Sequence, residues 1–205
     1  VDVVRRSAGG AAVYAGPGVL GQDVFLPAGH SLAPADVVEG YRWLGESWLR
    51  ALTSLGAEGH LVSVDEARGQ PPPDPDVAMA CFGALSPYEV TAGDRKLVGL
   101  AQVRRAHGTL LQAAIHLQFD AARLAAVLPA RRPQFLADRL SSVAVGLTDV
   151  LGSDVTVGEV MESVNRSIAD RAGIALEPDS WTASELKYAS VASVPEEGSV
   201  RSGEA

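Results

Sequence analysis

The sequence predicts an α+β fold in which a central mixed or antiparallel β-sheet is flanked by helices, and three features carry that prediction. Short apolar, β-branched runs are separated by Gly, Pro and Asp punctuation. Two longer stretches repeat their apolar residues every three or four positions. Strands and helices interleave without the regular βαβ rhythm of a parallel sheet.

Taken in order, residues 1–4, 11–14 and 19–27 read as strands, broken by Gly9-Gly10 and by Gly16-Pro17-Gly18. Over residues 34–56 the period changes: Val37, Tyr41, Leu44, Trp48, Leu52 and Leu55 fall on one face, which predicts a helix. Pro34 suits its first turn, Asp36 and Glu39 favour the positive end of the dipole, and Gly56 ends it. Residues 60–64 read as a strand, and residues 66–76, with Pro71-Pro72-Pro73 and Pro75, as a loop.

Four further strands are expected at 77–82, 88–92, 96–103 and 109–118, with breaks at Ser86-Pro87, Gly93-Asp94 and His107-Gly108 that suit hairpins. Residues 120–128 and 134–140 read as short helices. Thr156 and Glu159 make a capping box in front of the stripe Val157, Val160, Val164 and Ile168, which predicts a helix over 156–172. Trp43, Trp48 and Trp181 are expected to be core or interface anchors. Residues 193–205 are polar and read as a flexible tail behind a single domain of residues 1–192. Because the chain opens on Val1 and is already in a strand-like pattern, an N-terminal part is expected to be missing.

Composition limits the function. The chain has 205 residues, 47% of them hydrophobic and 20% charged, with a mean hydropathy of +0.12, which suits one packed domain and excludes wholesale disorder. A net charge of −8 argues against nucleic acid as the main partner, since phosphate contacts need a concentrated basic surface. One cysteine, Cys81, forbids an internal disulfide and fits a reducing compartment. No apolar run approaches the length of a membrane span, so no membrane partner is expected and the cytoplasm is the expected location.

Three segments hold residues with chemical potential. Between residues 5 and 14, Arg5, Arg6, Ser7, Gly9, Gly10, Ala11, Ala12, Val13 and Tyr14 combine glycines that admit a ligand close to the backbone with arginines that pair with carboxylate or phosphate. The same glycines suit a plain hairpin, and both readings stand. Lys96 enters a strand that also carries Gly99 and Ala101. Strict alternation puts Val98 and Leu100 on its side and the small pair on the other. Lys96 itself reads either as solvated or as ligand-facing. Cys81, inside Met79-Ala80-Cys81-Phe82, reads as a small core residue unless the fold brings a cation or base to it. His30, His60, His107 and His116 are scattered, so no metal is assigned. Arg95, Lys96, Arg104, Arg105 and His107 form a locally basic hairpin, either a solvated face or a steering surface for an acidic partner.

In this order the segments resemble the lipoate protein ligase and octanoyltransferase superfamily, whose fold is shared with biotin protein ligase, over residues 1–148. The family's Arg-Arg-x-Ser-Gly-Gly-Gly-Ala-Val-aromatic-His motif is similar to Arg5 through Ala15. Its Gly-Arg-Lys-x-x-Gly-x-Ala-Gln motif is similar to Asp94 through Gln102, and its Leu-Leu-Gln to Leu110, Leu111 and Gln112. Cys81-Phe82, Ser86-Pro87-Tyr88-Glu89 and Lys96, with fifteen positions from cysteine to lysine, resemble the cysteine-dependent octanoyltransferases of that family. This chain departs from the pattern at Ala8, Ala11 and Ala15, which stand for the motif's serine, third glycine and histidine. It departs again at Ala113-Ala114-Ile115, which replaces His-Gly-Ser.

The resemblance implies catalytic Cys81 and Lys96. It implies a cofactor- or acyl-binding segment at Arg6, Ser7, Gly9, Gly10, Ala11, Ala12, Val13 and Tyr14 together with Lys96, and substrate contacts at Gly99 and Ala101. Cys81 would carry an octanoyl group as a thioester, beside the positive charge of Lys96, from an acyl carrier protein to a lysine of the lipoyl domains of 2-oxoacid dehydrogenases or of the glycine cleavage H protein. No cofactor is then needed. Val98, Leu100 and Leu111 would line an acyl tunnel. Two other activities fit the same resemblance: ligation of free lipoate or octanoate through an acyl-adenylate, with ATP and Mg²⁺, and binding of a lipoylated domain without turnover.

Overall fold

The computed structural model describes residue 3 and residues 10–192. The strand expected at 1–4, the motif residues Arg5, Arg6, Ser7, Ala8 and Gly9, and the tail 193–205 lie outside the described residues. Residues 10–174 belong to one compact unit.

Its centre is a five-stranded sheet built from β1 (Val19–Pro27), β2 (His60–Leu61), β3 (Val90–Ala92), β4 (Arg95–Arg105) and β5 (Gly108–His116) in the order β1-β5-β4-β3-β2. Every pairing in it is antiparallel. Gly93-Asp94 closes the β3–β4 hairpin and Ala106-His107 the β4–β5 hairpin, where turn residues were expected. The long strands β1, β4 and β5 supply most of the ladder, and β1 meets β5 over nine consecutive pairs.

One face of the sheet is the core. Helices α1 (Arg42–Ser54) and α6 (Val157–Ala172) lie against it, and Leu44, Trp48, Leu52, Val160, Val164 and Ile168 meet Leu97, Val98, Leu111, Ala113 and Ile115. The expected stripes of both helices are therefore the buried ones except at their starts, where Val37 and Val157 are exposed. The Trp48 indole, fully buried, donates to Gln22 Oε1 at 2.9 Å, and Ser163 donates to the Ala51 carbonyl across the two helices at 3.0 Å. Trp43 is also core, whereas Trp181 is 73% exposed and is not a core residue.

The structure corrects several boundaries. α1 begins at Arg42 rather than Pro34, after a 3₁₀ turn at Glu39–Tyr41. The residues before it are held open because Arg104 donates to the Ala35 and Asp36 carbonyls, while the Asp36 carboxylate caps the Val38 and Glu39 N–H groups. The expected loop at 66–76 starts as a helix, α2 (Val64–Gly69), whose Ser63 and Glu66 form a capping box. The strand expected at 11–14 is reduced to one bridge, Ala12 with Ala80. Residues 77–82 form two 3₁₀ turns, Val77–Met79 and Cys81–Gly83, instead of a strand.

After the sheet come α3 (Ala121–Val127), α4 (Pro133–Val143) and a short α5 (Leu147–Leu151), then α6 behind its Thr156 cap. A second apolar cluster joins Leu124, Leu136 and Leu140 of α3 and α4 to Val77, Ala80 and Tyr14. The last helix, α7 (Ala183–Ala192), belongs to a second unit, and Thr182 and Glu185 cap its start reciprocally. No described helix is long and apolar enough to cross a membrane.

Candidate active site

The site is assembled where β4 carries a bulge. Thr91 pairs with Lys96 and Val90 with Val98, so Leu97 is an extra residue on β4. Leu97 and Val98 are both fully buried in the core, and Lys96 and Gly99 consequently share the opposite face. Strict alternation placed Lys96 beside Val98 and Leu100, and the bulge overturns that. A Cβ on Gly99 would lie 3.2 Å from Lys96 Cε and 3.6 Å from the Phe82 ring, so glycine there leaves room for the lysine to lie across the strand.

Lys96 is 2% exposed. Its ammonium meets Glu89 Oε1 at 2.7 Å, the Cys81 carbonyl at 2.9 Å and the Ala84 carbonyl at 3.0 Å, which accounts for its three N–H groups. Glu89, equally buried, also accepts from Leu100 N at 3.1 Å and from Ser86 N at 2.8 Å. Burial pushes the Glu89 carboxyl above its ordinary range, against the pull of Lys96 and of the two backbone donors. One ion pair thus ties the Cys81–Gly83 turn, the Ser86-Pro87 corner and the start of β4 together.

The chain is bent to deliver Glu89. Tyr88 has a φ of 65°, and its carbonyl lies where a Cβ on Gly45 of α1 would stand, so only glycine allows that approach. The Tyr88 hydroxyl donates to Glu39 Oε2 at 3.0 Å, which fixes the corner from outside.

Cys81 is half-buried and begins its turn beside the N-terminal motif. Cys81 N donates to the Ala12 carbonyl at 2.8 Å, and Ala12 N to the Met79 carbonyl at 2.9 Å. Of the motif residues, Gly10 and Ala12 are exposed while Ala11, Val13 and Tyr14 are half-buried, with the Arg123 guanidinium over the Tyr14 ring. Cys81, Lys96 and the described part of the motif, distant in sequence, therefore meet. Arg6, Ser7 and Gly9 lie outside the described residues.

From Lys96 the same sheet face continues as a row of small residues. Gly99 faces Ala114 on β5, which faces Gly21 on β1, and Ala101 follows Gly99 two positions along. Nothing lies within 4 Å of a Cβ on Gly21. Val98, Leu100 and Leu111, expected to line a tunnel, pack instead into or against the core on the opposite face, because the bulge reverses the sides. The expected basic hairpin is dispersed: Arg95 and Arg105 stand at opposite ends of β4, Arg104 is bound to backbone carbonyls, and Lys96 is buried.

Two residues near the site escaped sequence reasoning. Glu89 was visible only as part of a motif, since the hairpin register sets Thr91 opposite Lys96 and gives no sign of the Glu89–Lys96 pair. His116 was set aside as scattered. It is buried, with an unpartnered Nε2, against Phe82 at 4.7 Å and Phe119 at 5.1 Å between ring centroids, while Phe82 lies 5.4 Å from the Lys96 ammonium. Burial lowers its pKa to about 4, so it is neutral near pH 7. Among the described residues, no three His, Cys, Asp or Glu side chains gather as they would around a metal.

Residues 1–169 match the model of the lipoyl protein ligase A/B catalytic domain. The chain belongs to this family. It is 36% identical over 192 residues to Octanoyltransferase LipM of Kyrpidia tusciae, covering 91% of this chain and 68% of that protein. It is 32% identical over 164 residues to Octanoyltransferase LipM of Symbiobacterium thermophilum, covering 77% and 58%. A lipoate-protein ligase A bound with ATP superposes with a TM-score of 0.68 at 23% identity, over 91% of this chain and 65% of that one. A structure from an archaeal lipoylation system, a bi-partite lipoate protein ligase and its E2 lipoyl domain from Thermoplasma acidophilum, gives 0.69 at 23% identity, over 91% and 64%. The structural likenesses establish the fold, and the chain spans 58–68% of the length of these proteins.

Proposed function

We propose that this protein transfers an octanoyl group from a carrier thioester to a lysine of a lipoyl domain through a thioester on Cys81. The observation that carries the reading is the contact of Lys96 with Cys81: a buried ammonium 2.9 Å from the carbonyl of the cysteine, held there by Glu89. The similarity to octanoyltransferases, at up to 36% identity among the relatives above, supports the acyl group and the route.

In the first half-reaction the Cys81 sulfur attacks the donor's carbonyl carbon. The new S–C bond forms, the donor's C–S bond breaks, and the carrier thiol leaves with the proton that Cys81 gives up. In the second, the acceptor lysine's neutral amine attacks the same carbon, an amide forms, and Cys81 recovers its thiol with a proton from the amine. Lys96 supplies positive charge where the carbonyl oxygen becomes an oxyanion. Its three N–H groups are occupied, so the substrate oxygen replaces one of the two backbone carbonyls while Glu89 keeps the ammonium in place. Beyond Gly99, which Lys96 and Phe82 cover, the row of Ala114, Gly21 and Ala101 gives the acyl chain a bed of small residues, and each methylene buried there contributes about 0.8 kcal/mol.

This route draws its energy from the donor thioester and calls for no cofactor. The ATP-dependent alternative leans on the segment from Arg6 to Tyr14, of which Arg6, Ser7 and Gly9 lie outside the described residues. The deciding experiment is intact-mass spectrometry after incubation with octanoyl carrier protein and no ATP. A hydroxylamine-labile octanoyl adduct on the protein, absent from Cys81→Ser, is expected. Product formed only with ATP, Mg²⁺ and free acid, and retained in Cys81→Ser, would overturn the reading.

A further inference from the structure

One surface element runs against the charge of the molecule. On a chain of net charge −8, residues 120–140 hold four arginines, Arg123, Arg131, Arg132 and Arg139, against two aspartates, Asp120 and Asp138. All four arginines are exposed. Leu136 and Leu140 turn the inner side of α4 into the second apolar cluster, which leaves Phe135 and Arg139, four residues apart, as an exposed stripe along the flank of the helix, behind its N-cap residue Arg132 and beside Asp138. Phe135 is exposed on that stripe, as is Val127 at the end of α3. Arginine around an exposed aromatic ring is the composition that protein interfaces favour. Among the cations of the sheet, Arg95 and Arg105 are a strand's length apart, and Arg104 is bound to backbone.

Position gives this face a use. The inner side of α4 packs on the turn that starts at Cys81. Its C-terminus runs into Ala144, which bridges to Lys96, and Val145 N donates to the Lys96 carbonyl at 3.0 Å. On the α3 side, Arg123 covers Tyr14, two residues from the Ala12 carbonyl that holds Cys81. A partner seated on α3 and α4 is therefore beside the mouth of the site.

Resting on the acyl-transfer reading above, we propose that the arginine face of α3 and α4 docks the acyl donor, a carrier protein whose contacting surface is acidic. Charge selects an acidic partner and steers its approach. Distance selects the donor over the acceptor. Phe135, in the middle of the face, and Ala144 are separated by nine residues, about 14 Å along a helix, farther than a lysine side chain extends from its own backbone. A long flexible thioester arm crosses that gap.

The test compares the unaltered chain with Arg132→Glu/Arg139→Glu, using octanoyl carrier protein and octanoyl-pantetheine as donors to Cys81. For the carrier donor, KM is expected to rise about tenfold or more with kcat held, and the salt dependence of kcat/KM to flatten. Octanoyl-pantetheine, which has the arm without the protein, should acylate both chains equally, and Arg166→Glu on the far helix α6 should change neither. Calorimetric binding of the carrier to Cys81→Ala, with and without the two reversals, should show the same tenfold weakening and needs no turnover. The docking proposal is overturned if the reversals leave carrier binding unchanged, if they slow both donors equally, or if they impair only transfer from acylated Cys81 to the lipoyl domain. Failure of the unaltered chain to form any Cys81 adduct sinks the acyl-transfer reading instead, while the binding measurement still decides the surface.

Discussion

The β4–β5 hairpin and residues 77–89 lie side by side and are held by opposite means. The hairpin is fixed many times over, by eight consecutive cross-strand pairs and an apolar face pressed against α1 and α6. Residues 77–89 contain two single 3₁₀ turns and reach the first pairing of β3 only at Val90. Ala12 and Val62 hold their two ends through backbone bonds, and between these the geometry depends on bonds that converge on one buried ion pair, Lys96 with Glu89. A ladder spreads its constraint over many small contributions, so it tolerates damage and keeps its shape. A segment tied largely to one charged knot holds its atoms as firmly, but one substitution can release several of them at once.

The largest effect should come from cutting that knot. Lys96→Met leaves Glu89 buried without its counter-charge, and loss of one partner of a buried pair costs about 3–5 kcal/mol. A matching fall in the urea midpoint is expected, with loss of Cys81 acylation. Adding Glu89→Leu should recover much of the stability and none of the activity. On the ladder side, Ile115→Val should cost about 1 kcal/mol and leave the acylation rate unchanged. An equal loss of activity from Ile115→Val would break the comparison.

His116 ends β5 where the two regions touch, and its buried neutral ring makes their junction sensitive to acid. The folded state holds its pKa at about 4 against 6.5 in the unfolded chain, so between those values the unfolded state binds the extra proton. The stability it contributes is present in full above pH 6.5 and is lost as pH falls toward 4, by about 3 kcal/mol in total at roughly 1.4 kcal/mol per unit. Glu89, whose pKa is raised, works in the opposite direction, favouring the folded state as it takes up a proton. Comparing the protein with His116→Phe by denaturant unfolding at pH 7 and pH 4.5 cancels that term. The variant should be at least as stable at pH 7, since the unpartnered Nε2 is gone, and should lose less on acidification. Identical pH profiles would show that the ring is not buried as described.

A third contrast uses two glycines on one row of the sheet. Gly99→Ala places its methyl against Lys96 Cε and Phe82, and such overpacking costs about 1–3 kcal/mol. Because the lysine must shift, the acylation rate should fall further than stability alone explains. Gly21→Ala, with open space above it, should stay within about 0.5 kcal/mol of the parent.

These contrasts also explain what was legible in the sequence. The hairpins, α1, α6 and the capping box of Thr156 follow from local periodicity and turn residues, and they stand within a few residues of expectation, except for the start of α1. That start was displaced by Arg104, sixty-eight residues away in the chain from Asp36. The site was legible as a list of residues, Cys81 and Lys96 with the motif beside them, because a family pattern marks them. Its geometry was not. The bulge at Leu97 is a property of the pairing between β3 and β4 and leaves no mark on the alternation of β4. The turns at 77–83 look strand-like because their apolar residues face a cluster contributed by α3 and α4. Glu89 became meaningful only once its corner was folded against Gly45.

The smallest expected effect sharpens the comparison furthest, because it uses one motif in two settings. Ser63 with Glu66 and Thr156 with Glu159 form the same capping box, each with a reciprocal pair of bonds. α6 buries five residues, whereas α2 buries none. Loss of the cap oxygen costs about 1 kcal/mol of helix stability in either place. In Thr156→Ala that cost falls on a helix packed into the core, so the global unfolding free energy should drop by about that amount. In Ser63→Ala it falls on a helix that is coupled to little else, so the chain should lose hydrogen-exchange protection over residues 64–69 while its global midpoint stays put. If both variants lower the midpoint equally, α2 is part of the cooperative core and the division drawn between the two regions does not extend to it.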